Sequence, residues 1–475
     1  MRYRFACLLL GFTFAAAPVW AQTPPSAPPA AAAPSEAPFT AARARAIDAI
    51  AQGELHAGST PGMAIGVVED GLLVYARGFG YANLAKHKKA GAATQFYAGS
   101  IVKQFTAAAV LLLAQDKKLS LDDKVTKYVP ELTVARNVTI AQLLQQTSGL
   151  PDYTNAPGIA HDPTQPVKTA DLIKAVDRMT PASQPGTQFQ YNNLNYTIAA
   201  LIVQRVSDLP LTVFLSSRIF QPLIMTSTFL AGDQGISPQR AIGYTRSSNG
   251  KFVPAKPWNP SWLFGAGDLV TNVYDLAKWD IGMPLLLNVD SVRAMWTPGN
   301  DSSPYGMGWT IDQRGGRRYV WHNGEIAGYH AMNAVLPDQH VAVIVLTNAD
   351  SLHGQDVISP ERVANRILDV VAPLPPAHFA NPITQRAEEW LGRLQRDDID
   401  RTQLTPDFSQ YLSDQVVIRA NLKELGPVLS MVPIESYQRS GNTVYVFDVK
   451  FRNGALRYSF TLAPDGKIAG LLLQP

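Results

Sequence analysis

Between Phe39 and Ile50 alanines and larger apolar residues recur at helical spacing, which predicts a helix at the start of the folded chain. Met63-Ala-Ile-Gly-Val-Val68, a Glu69-Asp70-Gly71 turn and Leu72-Leu-Val-Tyr75 predict a β-hairpin. Gln104 to Gln115 is apolar nearly all round, the pattern of a helix buried on every side. Val341-Ala-Val-Ile-Val-Leu346 is a short continuous apolar run and predicts a buried strand. Strands therefore stand at both ends of residues 39–372, with helices between them. That order predicts a sheet whose edges come from the two ends of the region, with a helical insertion.

A second region follows the breaker run Ala372-Pro373-Leu374-Pro375-Pro376. Arg386 to Leu394 predicts a helix, and Thr443 to Phe451, Ala455 to Leu462 and Ile468 to Leu473 predict strands. Arg452-Asn453-Gly454 and Pro464-Asp465-Gly466-Lys467 supply the hairpin turns. Residues 377–475 thus read as a small α+β accessory domain. Tyr445 and Tyr458 are its candidate ligand-binding aromatics, although alternating strand aromatics ordinarily fill a core.

The first residues supply an address. Arg2 and Arg4 precede an apolar stretch from Phe5 to about Ala17, and Val19-Trp20-Ala21 ends in a small residue. Residues 1–21 read as a secretory signal cut before Gln22. Residues 22–38 are almost all Pro, Ala and Ser, a composition that buries little and serves as a flexible linker. The one cysteine, Cys7, lies inside the signal, so the mature chain has no disulfide, thiol nucleophile or thiolate metal site. The expected location is secreted, in the bacterial periplasm or outside the cell.

Composition narrows the class. The chain has 475 residues, 46% hydrophobic and 17% charged, which suits a large globular core and excludes a disordered protein. No apolar run reaches the roughly 18 residues of a membrane helix. Net charge is +3, near +1 without Arg2 and Arg4, which gives no electrostatic case for nucleic acid.

Three short motifs carry chemistry. Ser100-Ile101-Val102-Lys103 sits where Ala98-Gly99 enters the buried helix, with Ser and Lys almost one turn apart on a shared face. A serine needs an adjacent base to be a nucleophile, and burial favours a neutral lysine that can serve. Helix N-terminal N–H groups can stabilise an oxyanion. Ser248-Asn249-Gly250-Lys251 matches the same spacing, but Asn-Gly marks a solvated turn. The second motif is Tyr191-Asn192-Asn193, whose phenol can relay a proton if a nearby ammonium lowers its pKa, and whose amide can orient substrate. Tyr81-Ala82-Asn83 and Tyr153-Thr154-Asn155 share that spacing. The third is His322-Asn323-Gly324, where glycine admits close approach and the N–H of Glu325 can complete an oxyanion pair. His56-Ala57-Gly58 is its decoy.

Taken in order, these motifs resemble the class C β-lactamase-related serine hydrolases: β-lactamases, D-Ala-D-Ala carboxypeptidases, D-aminopeptidases and certain esterases. The likeness is carried also by Pro61-Gly-Met-Ala-Ile-Gly66, Leu143-Leu-Gln-Gln-Thr-Ser-Gly-Leu-Pro151, Gly265-Ala-Gly-Asp-Leu-Val270, Asp275-Leu-Ala277 and Tyr305-Gly-Met-Gly-Trp309. The resemblance implies an α+β, β-lactamase/transpeptidase-like fold over residues 39–372. In that fold an antiparallel sheet is flanked by helices, and the site lies in a cleft against a helical subdomain. It implies Ser100 as nucleophile, Lys103 as its proton-transfer partner and Tyr191 as relay acid/base. Asn193 would orient substrate, His322 and Gly324 would line the opposite wall, and Ser100 and Glu325 would supply the oxyanion N–H groups.

The implied reaction is a two-step hydrolysis through acyl-Ser100 of an ester, amide, D-peptide or β-lactam, cell-wall peptide among them. The other class consistent with the fold is a penicillin- or peptidoglycan-binding protein or sensor without turnover. Where class C β-lactamases carry Lys-Thr-Gly, this chain has His-Asn-Gly, and an imidazole with an ordinary pKa near 6.5 is mostly neutral at pH 7. That weakens the case for a proficient β-lactamase. Gln145-Gln146 stands where relatives often have histidine, with no catalytic consequence expected. No cofactor and no metal are expected, because the eight histidines contain no His-x-x-x-His pair and no glycine fingerprint or Walker A motif is present.

Overall fold

The computed structural model describes residues 39–153, 159, 162–232, 237–300, 303–350, 359–373, 381–396, 398–413 and 422–474. The expected signal peptide (1–21), the linker (22–38) and Leu374 to Pro376 of the breaker run lie outside them. The chain begins with α1 (Ala41–His56), capped by Thr40, whose hydroxyl accepts from the N–H of Arg43 at 3.2 Å. The predicted hairpin follows as β1 (Gly62–Glu69) and β2 (Leu72–Asn83), with β3 (Lys88–Lys89) on its outer edge. β4 (Phe96–Gly99) leads into the buried α2 (Val102–Gln115), and α3 (Ile140–Leu144), α4 (Thr169–Val176), α5 (Asn193–Ser207) and α6 (Leu211–Leu215) come next. Four short strands, β5 (Phe229–Leu230), β6 (Tyr244–Arg246), β7 (Phe252–Pro254) and β8 (Leu269–Thr271), precede α7 (Val273–Leu286) and α8 (Val289–Met295). β9 (Thr310–Arg314), β10 (Arg317–Ile326), β11 (Tyr329–Leu336) and β12 (Val341–Thr347) then run to α9 (Pro360–Val371).

The main sheet is antiparallel, in the order β3-β2-β1-β12-β11-β10-β9. This corrects the expectation that the two ends of the region form the edges. β1 and β12 pair in the middle, Met63 opposite Thr347 through Glu69 opposite Val341. The physical reason is burial: every residue of both strands is buried, and only a central strand has both faces covered. Met63, Ile65, Val67, Val343 and Val345 face α1 and α9, whereas Ala64, Val68, Ala342, Ile344 and Leu346 face the layer that contains α2. Val102 to Leu113 of α2 are all buried. Lys103 lies inside that apolar layer.

The second region contains α10 (Asn381–Arg396), α11 (Pro406–Ser413) and the four-stranded sheet β13 (Val428–Arg439), β14 (Asn442–Phe451), β15 (Gly454–Leu462) and β16 (Ile468–Gln474). It has its own hydrophobic cluster around Trp390, Phe447, Phe451 and Phe460. Tyr458 is fully buried there and Tyr445 packs against it, so both contribute to the core. β13 was not anticipated, because Pro433 and two irregularities in its pairing with β14 break the strand alternation. The decoy at Ser248 forms the exposed turn between β6 and β7. Among the described residues no single helix is long and apolar enough to cross a membrane.

A polar cluster interrupts the main core. Asn333 of β11 donates to Asp280 of α7 at 2.8 Å and to Gln104 of α2 at 3.3 Å, and Gln104 also accepts from the Trp279 indole at 3.0 Å. Burial pushes the Asp280 carboxyl up to about 8, against the opposing hydrogen bond from Asn333. Unfolded, the group would titrate near 3.9. Between these values the folded protein holds the proton more tightly, so stability falls as pH rises through the window. The slope from this group has a ceiling of about 1.4 kcal/mol per pH unit. Asp280→Asn should flatten that part of the stability profile between pH 5 and 8, read as urea midpoints; an unchanged slope would contradict the assignment.

Candidate active site

The site forms where the start of α2, the start of α5, the turn before β8 and the strand β10 converge. Gly99 adopts the left-handed conformation at φ +53°, which swings the chain from β4 into α2. Ser100 follows, and its carbonyl accepts the N–H of Lys103 at 3.0 Å. The Lys103 Nζ lies 2.9 Å from Ser100 Oγ, 2.8 Å from Asn193 Oδ1 and 2.6 Å from the carbonyl of Ala266. That carbonyl is set by a tight turn: the N–H of Gly265 donates to Asp268 at 3.1 Å, and Thr106, one turn after Lys103, donates to the Gly265 carbonyl at 2.8 Å.

Lys103 is completely buried. Desolvation holds its amine well below the ordinary lysine range, and the charge of Asp268 only partly opposes this. The three acceptors suit either protonation state. An ammonium donates to all three; a neutral amine donates to Asn193 and Ala266 and turns its lone pair to the Ser100 hydroxyl. The Ser100 hydroxyl and the Lys103 amine are thus already hydrogen-bonded.

Tyr191-Asn192-Asn193 divides its work. Asn192 caps α5: its side chain accepts from the N–H of Leu194 at 2.9 Å and donates to the carbonyl of Leu150 at 2.9 Å. Asn193 reaches Lys103. The ring of Tyr191 lies 4.8 Å from Lys103 Nζ. The residue is 40% exposed, yet desolvation raises the phenol above its ordinary value, and a hydrogen bond from Ser100 offsets only part of that. The expected lowering by an ammonium is therefore not found, since Lys103 itself is driven toward the neutral form. Tyr191 is an uncharged phenol in the resting protein.

β10 supplies the facing wall. A Cβ on Gly324 would fall 1.9 Å from the carbonyl oxygen of Ala98 and 3.0 Å from the nitrogen of Ser100; one on Gly99 would fall 2.9 Å from the nitrogen of Glu325. Two glycines back to back thus bring the N–H groups of Ser100 and Glu325 to one narrow seam. His322 is 2% exposed, and its Nε2 lies 2.7 Å from the hydroxyl of Tyr305. Burial, then the nearness of Lys103, pushes its imidazole down to about 3, although a hydrogen bond to the Asn323 carbonyl acts the other way.

All seven residues expected at the site come together. Sequence reasoning did not assign roles to Tyr305, Asp268 or Gln146. All three lie in stretches that carry the resemblance, which was the available signal. Gln146, in the left-handed region at φ +57°, accepts from the N–H of Asn192 at 3.1 Å and from Asn195 at 2.7 Å. It ties down the start of α5. Of the decoys, Tyr153 is buried and donates to the Trp262 carbonyl, and Asn155 lies outside the described residues. No group of three or more metal-ligating side chains occurs among the described residues.

A profile of the family described as Beta-lactamase matches residues 47–366. The chain belongs to the Beta-lactamase family. Among curated proteins similar to this chain, Protein flp of Staphylococcus aureus (strain MRSA252) is 30% identical over 319 residues, 64% of this chain and 63% of that protein. The match thus spans just under two thirds of the relative's length. The octameric penicillin-binding protein homologue from Pyrococcus abyssi superposes with a TM-score of 0.63 at 21% identity, covering 91% of this chain and 98% of that one. D-amino acid amidase from Ochrobactrum anthropi SV3 superposes with a TM-score of 0.62 at 23% identity, covering 70% and 99%. The two superpositions establish the fold, α+β and β-lactamase/transpeptidase-like.

In this fold the seam between Gly99 and Gly324 has no room for a side chain. Gly324→Ala should destabilise the protein by about 1–3 kcal/mol and widen the seam. A thermal melt and an acylation rate both equal to wild type would show that the two backbones are not in contact.

Proposed function

We propose that the protein is a secreted serine hydrolase that works through a covalent acyl-Ser100 intermediate. The observation that carries this reading is the buried Lys103 Nζ, 2.9 Å from Ser100 Oγ in surroundings that favour its neutral form. In acylation Lys103 takes the hydroxyl proton as Oγ bonds to the carbonyl carbon. The N–H groups of Ser100 and Glu325 hold the oxyanion. The tetrahedral intermediate then expels the leaving group, which leaves with a proton passed from Lys103 through the Tyr191 hydroxyl. Asn193 both accepts from Lys103 and orients the acyl side. In the second step water attacks the ester carbonyl, a proton returns to Ser100 Oγ and the acid is released.

The substrate class we favour is an ester or amide, including D-amino-acid derivatives, ahead of a β-lactam. The uncharged His322 on β10 supports this ordering. The N-terminal pattern supports a periplasmic or extracellular location. The separate hydrophobic cluster around Trp390 supports reading residues 377–475 as an accessory domain beside a hydrolase domain over residues 39–372.

Ser100→Ala should abolish the acyl adduct formed with a penicillin or an activated ester, read by intact mass, with an unchanged circular dichroism spectrum. Turnover near wild type in that variant would overturn the nucleophile assignment. Absence of any Ser100-dependent adduct or hydrolysis in the wild type would favour a binding protein without turnover. Lys103→Ala should slow single-turnover acylation at least about a hundredfold; a wild-type rate would remove Lys103 from the proton transfer.

A further inference from the structure

A cleft of about 1090 Å³ lies between α1 and α9 on one side and the outer face of the sheet β13–β16 on the other. α9 presents Arg362 and Arg366, one helical turn apart, to this cleft. Both are held by Glu54 of α1, which is 5% exposed and lies 2.9 Å from the Arg362 guanidinium and 3.4 Å from that of Arg366. One buried carboxylate thus orients two arginines and neutralises only one of their charges.

The other wall follows from strand alternation. Ser430 and Val432 of β13 stand opposite Lys450 and Asp448 of β14, and these stand opposite Ala455 and Arg457 of β15, so the six side chains share one face. Phe447, Val449 and Phe451 point the other way, into the hydrophobic cluster of the second region. Arg452 follows in the turn to β15 and also lines the cleft. Arg457 ties the two walls together at one end, 3.0 Å from Asp448 and 3.6 Å from Asp369 of α9. Lys450 and Arg452 are exposed and have no acidic partner among the described residues.

Five cationic and three acidic side chains line the cleft, and every one of the acids is engaged. Glu54 holds the two arginines, Asp448 holds Arg457, and Glu361 accepts from Asn323 at 2.7 Å. Cations on two facing walls repel each other, and an anion between them turns that repulsion into attraction. Spacing narrows the choice of anion. Arg362 and Arg366 are about 6 Å apart at their Cβ atoms, and residues two apart along a strand, as Lys450 and Arg452 are, stand about 7 Å apart. In an extended peptide, alternate side chains are also about 7 Å apart and successive ones point to opposite sides. Four consecutive acidic residues therefore offer two carboxylates to each wall. Val432, 51% exposed, and Ala455 give such a chain apolar contact between the charges, and Ser430 and Gln474 can hydrogen-bond its backbone. A phosphate chain has no use for the apolar contacts.

We propose that this cleft binds an extended acidic peptide, its carboxylates shared between Arg362 and Arg366 on one wall and Lys450 and Arg452 on the other. α1 and α9 cover the face of the main sheet opposite to α2, so this is a second site, and it does not rest on Ser100 as nucleophile.

The test is calorimetric titration of the full chain at physiological ionic strength with acetyl-tetraglutamate amide, acetyl-tetraglutamine amide and tripolyphosphate. The tetraglutamate should bind about tenfold or more tighter than the tetraglutamine, and tighter than tripolyphosphate. Lys450→Gln combined with Arg452→Gln should weaken tetraglutamate about tenfold and leave the circular dichroism spectrum unchanged, because both side chains are exposed. Removing Arg362 or Arg366 would strand Glu54 as a buried charge. Their part is tested instead by Arg362→Lys with Arg366→Lys, which keeps the charge beside Glu54, loses the planar fork and should weaken binding about threefold. Equal affinity for the two peptides, binding of neither, or wild-type affinity in the variant at 450 and 452 would overturn the proposal. Tighter binding of tripolyphosphate would overturn the peptide assignment and make the cleft a phosphate site.

Discussion

Removing the amine of Lys103 from water shapes the site more than any other single constraint. An ammonium in an apolar layer loses hydration worth several kcal/mol, and this loss drives the group toward the neutral form. The cost is set by α2, whose residues from Val102 to Leu113 are all buried between the main sheet and the neighbouring helices. Only a few acceptors reach the amine, and each is placed by a different element. Ser100 comes from the turn into α2, Asn193 from the capped start of α5, and the Ala266 carbonyl from the Gly265–Asp268 turn. The same burial that weakens the lysine's hold on a proton therefore requires the fold to converge on it from three directions.

The convergence of these residues was legible in the sequence because the motifs that carry them are built from side chains with few substitutes. Ser100, Lys103, Tyr191, Asn193, His322, Gly324 and Glu325 could all be placed from motif order and meet in the structure. What could not be read was the electrostatic outcome at Tyr191. A sequence locates a phenol near a lysine, but the sign of its shift depends on whether that lysine is charged, which burial decides. Sheet order was also hidden: β1 and β12 are each recognisable as strands, yet their central pairing follows only from burial on both faces. β13 escaped because Pro433 and its bulges erase the alternation on which strand recognition rests.

The motif His322-Asn323-Gly324 illustrates how strand geometry divides one short run between two tasks. Side chains alternate across β10, so His322 and Gly324 belong to the site side, and Asn323 belongs to the side that packs on α9. There Asn323 donates to Glu361, which also accepts from Ser359 at 2.8 Å and contacts His330 of β11 at 3.2 Å. Burial alone would raise the Glu361 carboxyl, but the hydrogen bond and charge of His330, with help from Ser359, hold it down to about 2. A charged group at that position anchors β10 and β11 to the first turn of α9, near the positive end of the helix dipole.

This anchoring bears on the chemistry through distance. The N–H of Glu325 lies one residue beyond Gly324, and in the role proposed for it, holding an oxyanion, it must be kept within a few tenths of an ångström of its position. A strand fixed on one face by Tyr305 and His322, and on the other by Asn323 and Glu361, resists rotation about its own axis. Such rotation would tilt the Glu325 N–H away from Ser100. The polar atoms of the motif thus stiffen the donor from both sides, and the apolar contacts of Ile326 in the core keep the strand in register.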